Sequence, residues 1–510
     1  MKVENKNNFA IYLGLLIVAI FLLNYISRSY YGRFDLTDTQ MFTISESSKT
    51  VLENIDDLLI MKAYFSEDLG SELGNNKRYL QDLLEEYRAV NNEYIDFEFF
   101  TSDDSEEFKT EAQKSGIQPV QLNVIENDKM EIKQVFMGMV IMYGDKKESI
   151  PVIQTTTGLE YTITSAIKKL INVNKETIGL ASLGAPNPQS NNQSISELLR
   201  QTYDIMPVNL DTPVPQNISV LILSDVVDSL TTSQYSNLDN YLANGGNLFL
   251  AQNRINADIQ KQTAEPILSN LFTLLENYGI TIKENLALDL ECNSVQMRQP
   301  GRFFPVQVKY PFLPIIKNFS EDQLIVSGLE SSSLLFPSEI DVYIDSSSTE
   351  VPIASFTPLF FTSNKSTLME GFYNLNPIPD NNPIFNSLNE GPFNVAAIGT
   401  YQHEETGLSS QIIVVADSRF FADDGGGRMP ENLTFTLNSV DYMVGDSDLI
   451  SLRSREITTR PLNADAQDVG VKSFWKKLNY FLPALLILLF AFFKSRSEKA
   501  RTHKLEYMYE

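Results

Sequence analysis

Two uninterrupted apolar runs lie near the ends of the chain, Phe9–Ile26 (FAIYLGLLIVAIFLLNYI) and Leu478–Phe493 (LNYFLPALLILLFAFF), and the stretch between them mixes polar and apolar positions as water-soluble proteins do. A helix needs roughly 20 mostly apolar residues to cross a hydrocarbon core of about 30 Å. The first run nearly meets that length, and the second is shorter and holds Pro483. Trp475, Lys476, Lys477 and Lys494 flank the second run and are its candidate membrane-interface residues. An indole settles at the headgroup level and long cations snorkel toward water, which extends a short span. If both runs span, the two tails share one side of the membrane and the body stands on the other. The alternative for the first run is a cleaved signal peptide, with Ser27 and Ser29 as its small residues. For the second it is a buried core helix.

Inside the body the first half reads as βαβα, then antiparallel strands, then a helix. Leu58–Phe65 is a buried strand; Leu80, Leu83, Leu84, Tyr87 and Val90 fall at helical spacing; Tyr94–Phe100 alternates with period two. SEEFKTEAQKSGI predicts a helix stopped by Gly116, and Pro119 leads into QLNVIEN and EIKQVFMGMVIMYG. GLEYTITSAIKKLI places Ile163, Ala166, Ile167 and Leu170 on one helix face. Thr43 and Glu46 have capping-box spacing ahead of a short helix. This order predicts a thioredoxin-like domain over residues 27–172, without the CxxC pair.

From Thr177 the rhythm changes to alternating strands and helices, the signature of a parallel sheet. TIGLASLG, SVLILSD and NLFLAQN read as strands, SISELLRQTYDI and LTTSQYSNLDNYLANGG as helices, the second stopped by Gly245-Gly246. NVAAIGTY and QIIVVADSRF return to the same sheet, and TFTLNSVDYMV is its last helix. The expected fold class is therefore α/β. A cytoplasmic tail (1–8) and transmembrane helix (9–26) precede the thioredoxin-like domain. A parallel α/β domain (177–254 and 391–450) follows, carrying a β-rich or irregular insertion (255–390). A juxtamembrane linker (451–477), a second transmembrane helix (478–493) and a cytoplasmic tail (494–510) complete the chain.

Composition narrows the chemistry. Apolar residues make up 43% of the chain, enough for large cores, so disorder is excluded. The net charge is −25 while both tails are net basic, so the body is more acidic still. An acidic body does not bind nucleic acid, which needs clustered Lys and Arg. Basic tails favour the cytoplasmic side, and long domains translocate largely regardless of charge. The expected place is a bacterial inner membrane with most of the chain outside the cytoplasm. Cys292 is the only cysteine, and His403 and His503 are the only histidines. Disulfides within the chain, cysteine-based zinc sites and HExxH are therefore excluded, and no GxxxxGK[ST] is present. No cofactor and no metal are expected. Cys292 itself reads as a buried small hydrophobe.

Open α/β sheets bind ligands at the carboxyl ends of their strands. Here those ends present Gly184, Asp225, Gln252 and Asp417, the candidate binding residues. Asp417-Ser418-Arg419 with Asp423-Asp424-Gly425-Gly426-Gly427 reads as a mobile acidic loop, the alternatives being a polar rim or a metal-binding loop.

The juxtamembrane RFDLT and FTIS, GIQPVQLNV, VFMGMVIMYGDKKESIPVI and GLEYTITSAIKKL together resemble the N-terminal half of GldG-type proteins. These are auxiliary components of gliding-motility-associated ABC transporters. DNYLANGGNLFLAQN, VVADSRFFAD and LNSVDYMVGDSDLISLRSREITTRPL resemble the second half. The resemblance implies partners, a membrane permease and a cytoplasmic ABC ATPase. It also implies a second domain similar to glutamine-amidotransferase folds but without the catalytic cysteine. Family members carry a Gly-His-Gly-Glu-like turn where this chain has Ser182-Leu183-Gly184-Ala185-Pro186. The leading expectation is a non-catalytic extracytoplasmic subunit engaging a substrate or envelope partner. The alternatives are a cell-envelope hydrolase at the sheet edge and a stand-alone envelope binding protein.

Overall fold

Period-two burial along the first strand sets the layering of the N-terminal module. In the computed structural model, the structure describes residues 13–22, 43–67, 69–101, 105–126, 129–171, 175–183, 191–297, 304–343, 355–403, 407–456 and 469–509. The chain divides into two compact units, Met1–Ile457 and Thr458–Glu510. In the first, β1 (Leu59–Phe65) pairs in parallel with β2 (Ile95–Thr101) and antiparallel with β5 (Met137–Tyr143), which pairs with β6 (Lys146–Ile150). The sheet order is β2-β1-β5-β6, and β3 (Val120–Glu126) with β4 (Lys129–Val135) forms a separate hairpin.

Leu59, Met61, Ala63 and Phe65 of β1 face a core built from α1 (Glu46–Glu53), α2 (Gly70–Val90) and α4 (Leu159–Ile171). Tyr64 points to the other side, where α3 (Glu106–Lys114) supplies Phe108 and Ala112. One alternating strand thus serves two helical layers. The cap of α1 is Ser45, whose hydroxyl accepts the Ser48 amide at 3.0 Å, and not the Thr43 that the capping-box spacing picks out.

The second module holds an eight-stranded sheet. Its parallel part is β7 (Thr177–Ser182), β8 (Asp204–Asn209), β9 (Ile218–Ser224), β10 (Asn247–Ala251) and β14 (Ser409–Val415). Antiparallel strands complete it: β11 (Asn318–Phe319), β12 (Ser355–Phe361) and β13 (Asn394–Gln402). The sheet is mixed rather than parallel, and the 255–390 segment is not a simple insertion, since β11 and β12 belong to the sheet. The rest of that segment pairs into short hairpins over an aromatic core that includes Tyr310, Phe312 and Phe336. Alternate residues of β9 and β10 face opposite helical layers. Val220, Ile222 and Phe249 meet α5 (Gln193–Arg200) and α8 (Pro430–Val444), while Leu221, Leu223, Leu248 and Leu250 meet α6 (Thr232–Ala243) and α7 (Leu271–Asn277).

Two boundaries in this unit differ from the sequence pattern. The helix read through Ile205 ends at Arg200, because Asp204–Asn209 is the edge strand β8; Pro207 is tolerated there since its missing donor would face outward. The residues from 451, read as linker, continue α9 (Ser447–Glu456). Helix α9 packs on α8 and also on α1 and α4 of the N-terminal module.

The second unit contains α10, one 41-residue helix from Val469 to Tyr509. It takes in most of the stretch read as a separate cytoplasmic tail and includes Pro483 within its length. At 1.5 Å per residue it is about 60 Å long, roughly twice a hydrocarbon core. Its segment Gly470–Lys499 is long and apolar enough to cross a membrane. Of the first apolar run, Leu13–Leu22 is helical, and its remaining residues lie outside the described ones.

Candidate functional site

The carboxyl ends of the parallel strands gather three of the four residues expected there; Gly184 lies outside the described residues. Asp225 follows β9 with φ +57°, a left-handed conformation that costs a non-glycine residue and is concentrated at functional turns. Its amide donates to the Ala251 carbonyl at 3.2 Å. The side chain is exposed, yet crowding by surrounding atoms pushes its carboxyl above the ordinary range, with the Arg419 guanidinium and Ser418 hydroxyl pulling it back.

Gln252 and Asp417 are fully buried. The Gln252 carbonyl accepts the Val226 amide at 2.8 Å, and its amide nitrogen donates to Val226 and Asn253 carbonyls at 2.9 and 2.8 Å. Its polar capacity is spent on holding the turn that strains Asp225. Asp417 accepts the Leu335 amide at 2.9 Å with Oδ2 and the Arg419 amide at 2.9 Å with Oδ1. Burial pushes its carboxyl up to about 7, the two amides and the Arg419 charge opposing and the Asp225 charge adding to the rise. Asn253, which sequence reasoning passed over, completes the edge: its side chain accepts the Ser418 amide at 2.8 Å and donates to the Leu335 and Phe336 carbonyls.

The acidic loop beyond Arg419 is packed rather than mobile. Asp423 accepts the Gln193 and Ser194 amides at 2.7 and 3.1 Å and so caps α5 from a distant part of the chain. Burial opposes its ionisation, but those donors hold its carboxyl below the ordinary range. A Cβ at Gly426 would stand 2.2 Å from the Phe420 carbonyl oxygen and one at Gly427 2.4 Å from that of Phe421, so the glycines are needed for close approach. Arg419 pairs with Asp424 at 2.6 Å on the exposed rim.

His403 is bound up at the opposite end of β14, its Nε2 3.1 Å from the Ser410 hydroxyl and its ring 4.7 Å from that of Tyr401. It cannot serve Asp225 or Asp417. Cys292 opens a strand of the β-rich segment, half-buried rather than buried, and burial pushes its thiol up. Trp475, Lys476, Lys477 and Lys494 all lie on α10, where Trp475 is exposed and edge-on to Phe474 at 5.8 Å.

Among the described residues, sizeable cavities lie at the amino ends of the same strands and along the seam with the N-terminal module. A cavity of about 670 Å³ is lined by Glu176, Gln216, Asn237, Asn240 and Asn244 over a floor that includes Ile218 and Met443. One of about 370 Å³ adjoins it through Glu176 and Val444 and reaches Lys168, Lys169, Lys175 and Asp446. The rule for open sheets directs attention to the carboxyl edge, so these residues went unmarked. One signal was available: Asn237, Asn240 and Asn244 recur at i, i+3 and i+7, a polar stripe along one face of α6 and its C-cap.

The seam itself is closed by a buried ionic cluster. Arg453 of α9 donates to Asp441 Oδ2 at 2.9 Å, to Asn438 Oδ1, and to the Tyr161 hydroxyl of α4 at 2.9 Å. Tyr203 donates to Asp441 Oδ1 at 2.6 Å, and Lys168 of α4 pairs with Asp446.

Residues 175–451, just over half of the chain, match the family described as an ABC-type uncharacterized transport system. The chain belongs to that family. The matched span covers the whole mixed sheet and the 255–390 segment, ending inside α9. As a member of this ABC-transport auxiliary family, the chain is an accessory component of an ABC transport system. Residues 38–142 match a domain of unknown function. An uncharacterized protein of Borreliella burgdorferi is 25% identical over 531 residues, covering 98% of this chain and all of that one. Among solved structures, the mmIFT52 N-terminal domain has a TM-score of 0.34 at 12% identity, covering 52% of this chain and 97% of that one. A ThuA-like protein of Bacteroides uniformis has a TM-score of 0.29 at 10% identity, covering 52% and 90%.

Proposed function

We propose that the chain is a non-catalytic, extracytoplasmic auxiliary subunit that joins a membrane permease and a cytoplasmic ABC ATPase in a bacterial inner membrane. Membership in the transport family carries this reading. The routing of the chain supports its topology: α1, the first described element of the body, and α9, its last, pack against one another. The body therefore takes up and releases the chain at one place, as a domain hung from two spans in one membrane requires. The finer identity follows the sequence resemblance to GldG-type components. The β2-β1-β5-β6 order with β5 reversed favours a thioredoxin-like module, and the doubly covered mixed sheet a relative of amidotransferase folds, both used as scaffolds. Nothing in the reading requires the cell to glide.

The hydrolase alternative rests on Asp225 and Asp417. Both Asp417 oxygens are taken up by backbone amides, which makes that residue structural. Asp225→Ala is accordingly expected to complement a deletion strain fully, and loss of function with the protein still present would favour the enzyme.

Partnership within the membrane is tested by a photo-crosslinking residue at Ile487, exposed on the apolar stretch of α10. The expected product is a covalent adduct with a permease. Adducts with lipid alone would contradict a permease contact.

A further inference from the structure

We propose that the amino edge of the parallel strands is a binding site for a neutral oligosaccharide, held by the side-chain amides of Asn240 and Gln216 and the carboxylate of Glu176. The 670 Å³ cavity falls within the range of small-ligand sites, about 300–1,000 Å³, and adjoins a seam between modules, where such sites concentrate.

Its lining has unspent hydrogen-bonding capacity. The side chains of Asn240 and Gln216 make no hydrogen bond among the described residues, though both stand on the cavity wall. Among the described residues Asn237 and Asn244 use only their amide nitrogens, donating to the Leu210 carbonyl at 2.8 Å and the Asn240 carbonyl at 2.7 Å, so that each carbonyl oxygen has no partner there. Glu176 accepts the Ser219 hydroxyl with one oxygen at 2.5 Å and keeps the other. Mixed amide donors and acceptors with a single carboxylate suit a ligand whose groups both donate and accept, as adjacent hydroxyls do. Pro213, Val214 and Ile218 supply an apolar surface for the C–H face of a ring.

The same lining excludes other ligand classes. In the adjoining cavity three lysines meet three carboxylates, and Lys168 and Lys169 are already paired with Asp446 and Glu148, so no net positive field awaits a phosphate. The one aromatic ring among the described residues of the larger cavity, Tyr241, is covered by the backbone: a Cβ at Gly246 would stand 2.4 Å from it. It offers no face on which a nucleobase could stack. Further along the seam, a cavity of about 330 Å³ shares Lys169 and Thr202 with the second and is lined by Ser165, whose buried hydroxyl has no partner among the described residues. A buried unsatisfied hydroxyl is costly in a native interior, and a sugar hydroxyl reaching along the seam would satisfy it.

The test is calorimetric titration of the full chain, held in a detergent without a sugar headgroup, with cellotetraose, chitotetraose and maltotetraose in turn, and with inorganic phosphate. At least one tetrasaccharide is expected to bind saturably. Asn240→Leu and Gln216→Leu are each expected to weaken it by about tenfold, the loss of one good hydrogen-bond set. Both residues are exposed, so the unfolding midpoint should stay unchanged. Asp225→Asn, at the opposite edge, should leave binding as it is. The proposal is overturned if none of the three sugars saturates, if phosphate binds more tightly than all of them, or if Asp225→Asn weakens binding while the amino-edge variants do not. Because the chain is titrated alone, its outcome is independent of partnership with a permease.

Discussion

Asp417 shows how one buried carboxyl can govern the pH response of the carboxyl edge. Its ordinary value is 3.8 and burial raises it to about 7 in the folded chain. Between about pH 4 and 7 the folded protein therefore keeps a proton that the unfolded chain has released, and stability falls as pH rises through that window. Above 7 both states are ionised and the loss levels off. Asp225 and Arg419 are the charges facing this group, and they act in opposite senses. Asp417→Asn is expected to flatten the slope between pH 5 and 7 in denaturant titrations. It should also cost about 1–3 kcal/mol, because one of the two backbone amides loses its acceptor. An unchanged slope would mean that Asp417 does not titrate in this range. Arg453 is the second decisive residue. Arg453→Met leaves Asp441 buried and unpaired and should cost about 3–5 kcal/mol, whereas Arg453→Met with Asp441→Asn should recover part of it. Tyr161→Phe keeps the ring 5.0 Å from the guanidinium and removes only the hydrogen bond, about 1 kcal/mol. Equal losses for all three variants would show that the cluster does not act as a pair.

At the scale of elements, periodicity was a sound guide wherever a segment buried one face. The helix over Leu80, Leu83, Leu84 and Tyr87 and the strand from Tyr94 were legible because tertiary packing rewards the same spacing that the sequence displays. Strand β8 was not legible, since Pro207 and a mostly exposed pattern disguise an edge strand as a helix continuation. Helix α9 was hidden because its buried face meets elements from both modules, a demand no local pattern carries. The site was legible in part. Strand ends located Asp225, Gln252 and Asp417, but sequence could not reveal that two of them are consumed by the backbone. The cap on α5 was equally invisible, because Asp423 reaches it from more than two hundred residues away. Asp423→Ala should destabilise by about 1 kcal/mol at neutral pH. Because its folded value is lowered, that contribution is present above the ordinary carboxylate range and disappears as pH falls through the folded value. Gly426→Ala should be worse than Asp423→Ala, since the obstruction is the Phe420 carbonyl, which cannot swing away as a side chain would. Chemical unfolding of the two variants side by side checks that order.

Across the whole molecule, the first and last described helices of the body, α1 and α9, pack against one another, and the chain continues beyond them into a separate unit. Helix α10 is about twice as long as a hydrocarbon core and continues past Lys494 into a basic stretch. The measurement that tests the account most directly is quantitative identification of what accompanies a tagged chain drawn from its own membranes in mild detergent. The account predicts an ABC permease and an ABC ATPase in constant ratio to the chain, retained through size-exclusion chromatography. Recovery of the chain with neither, from membranes in which both are present, would contradict it.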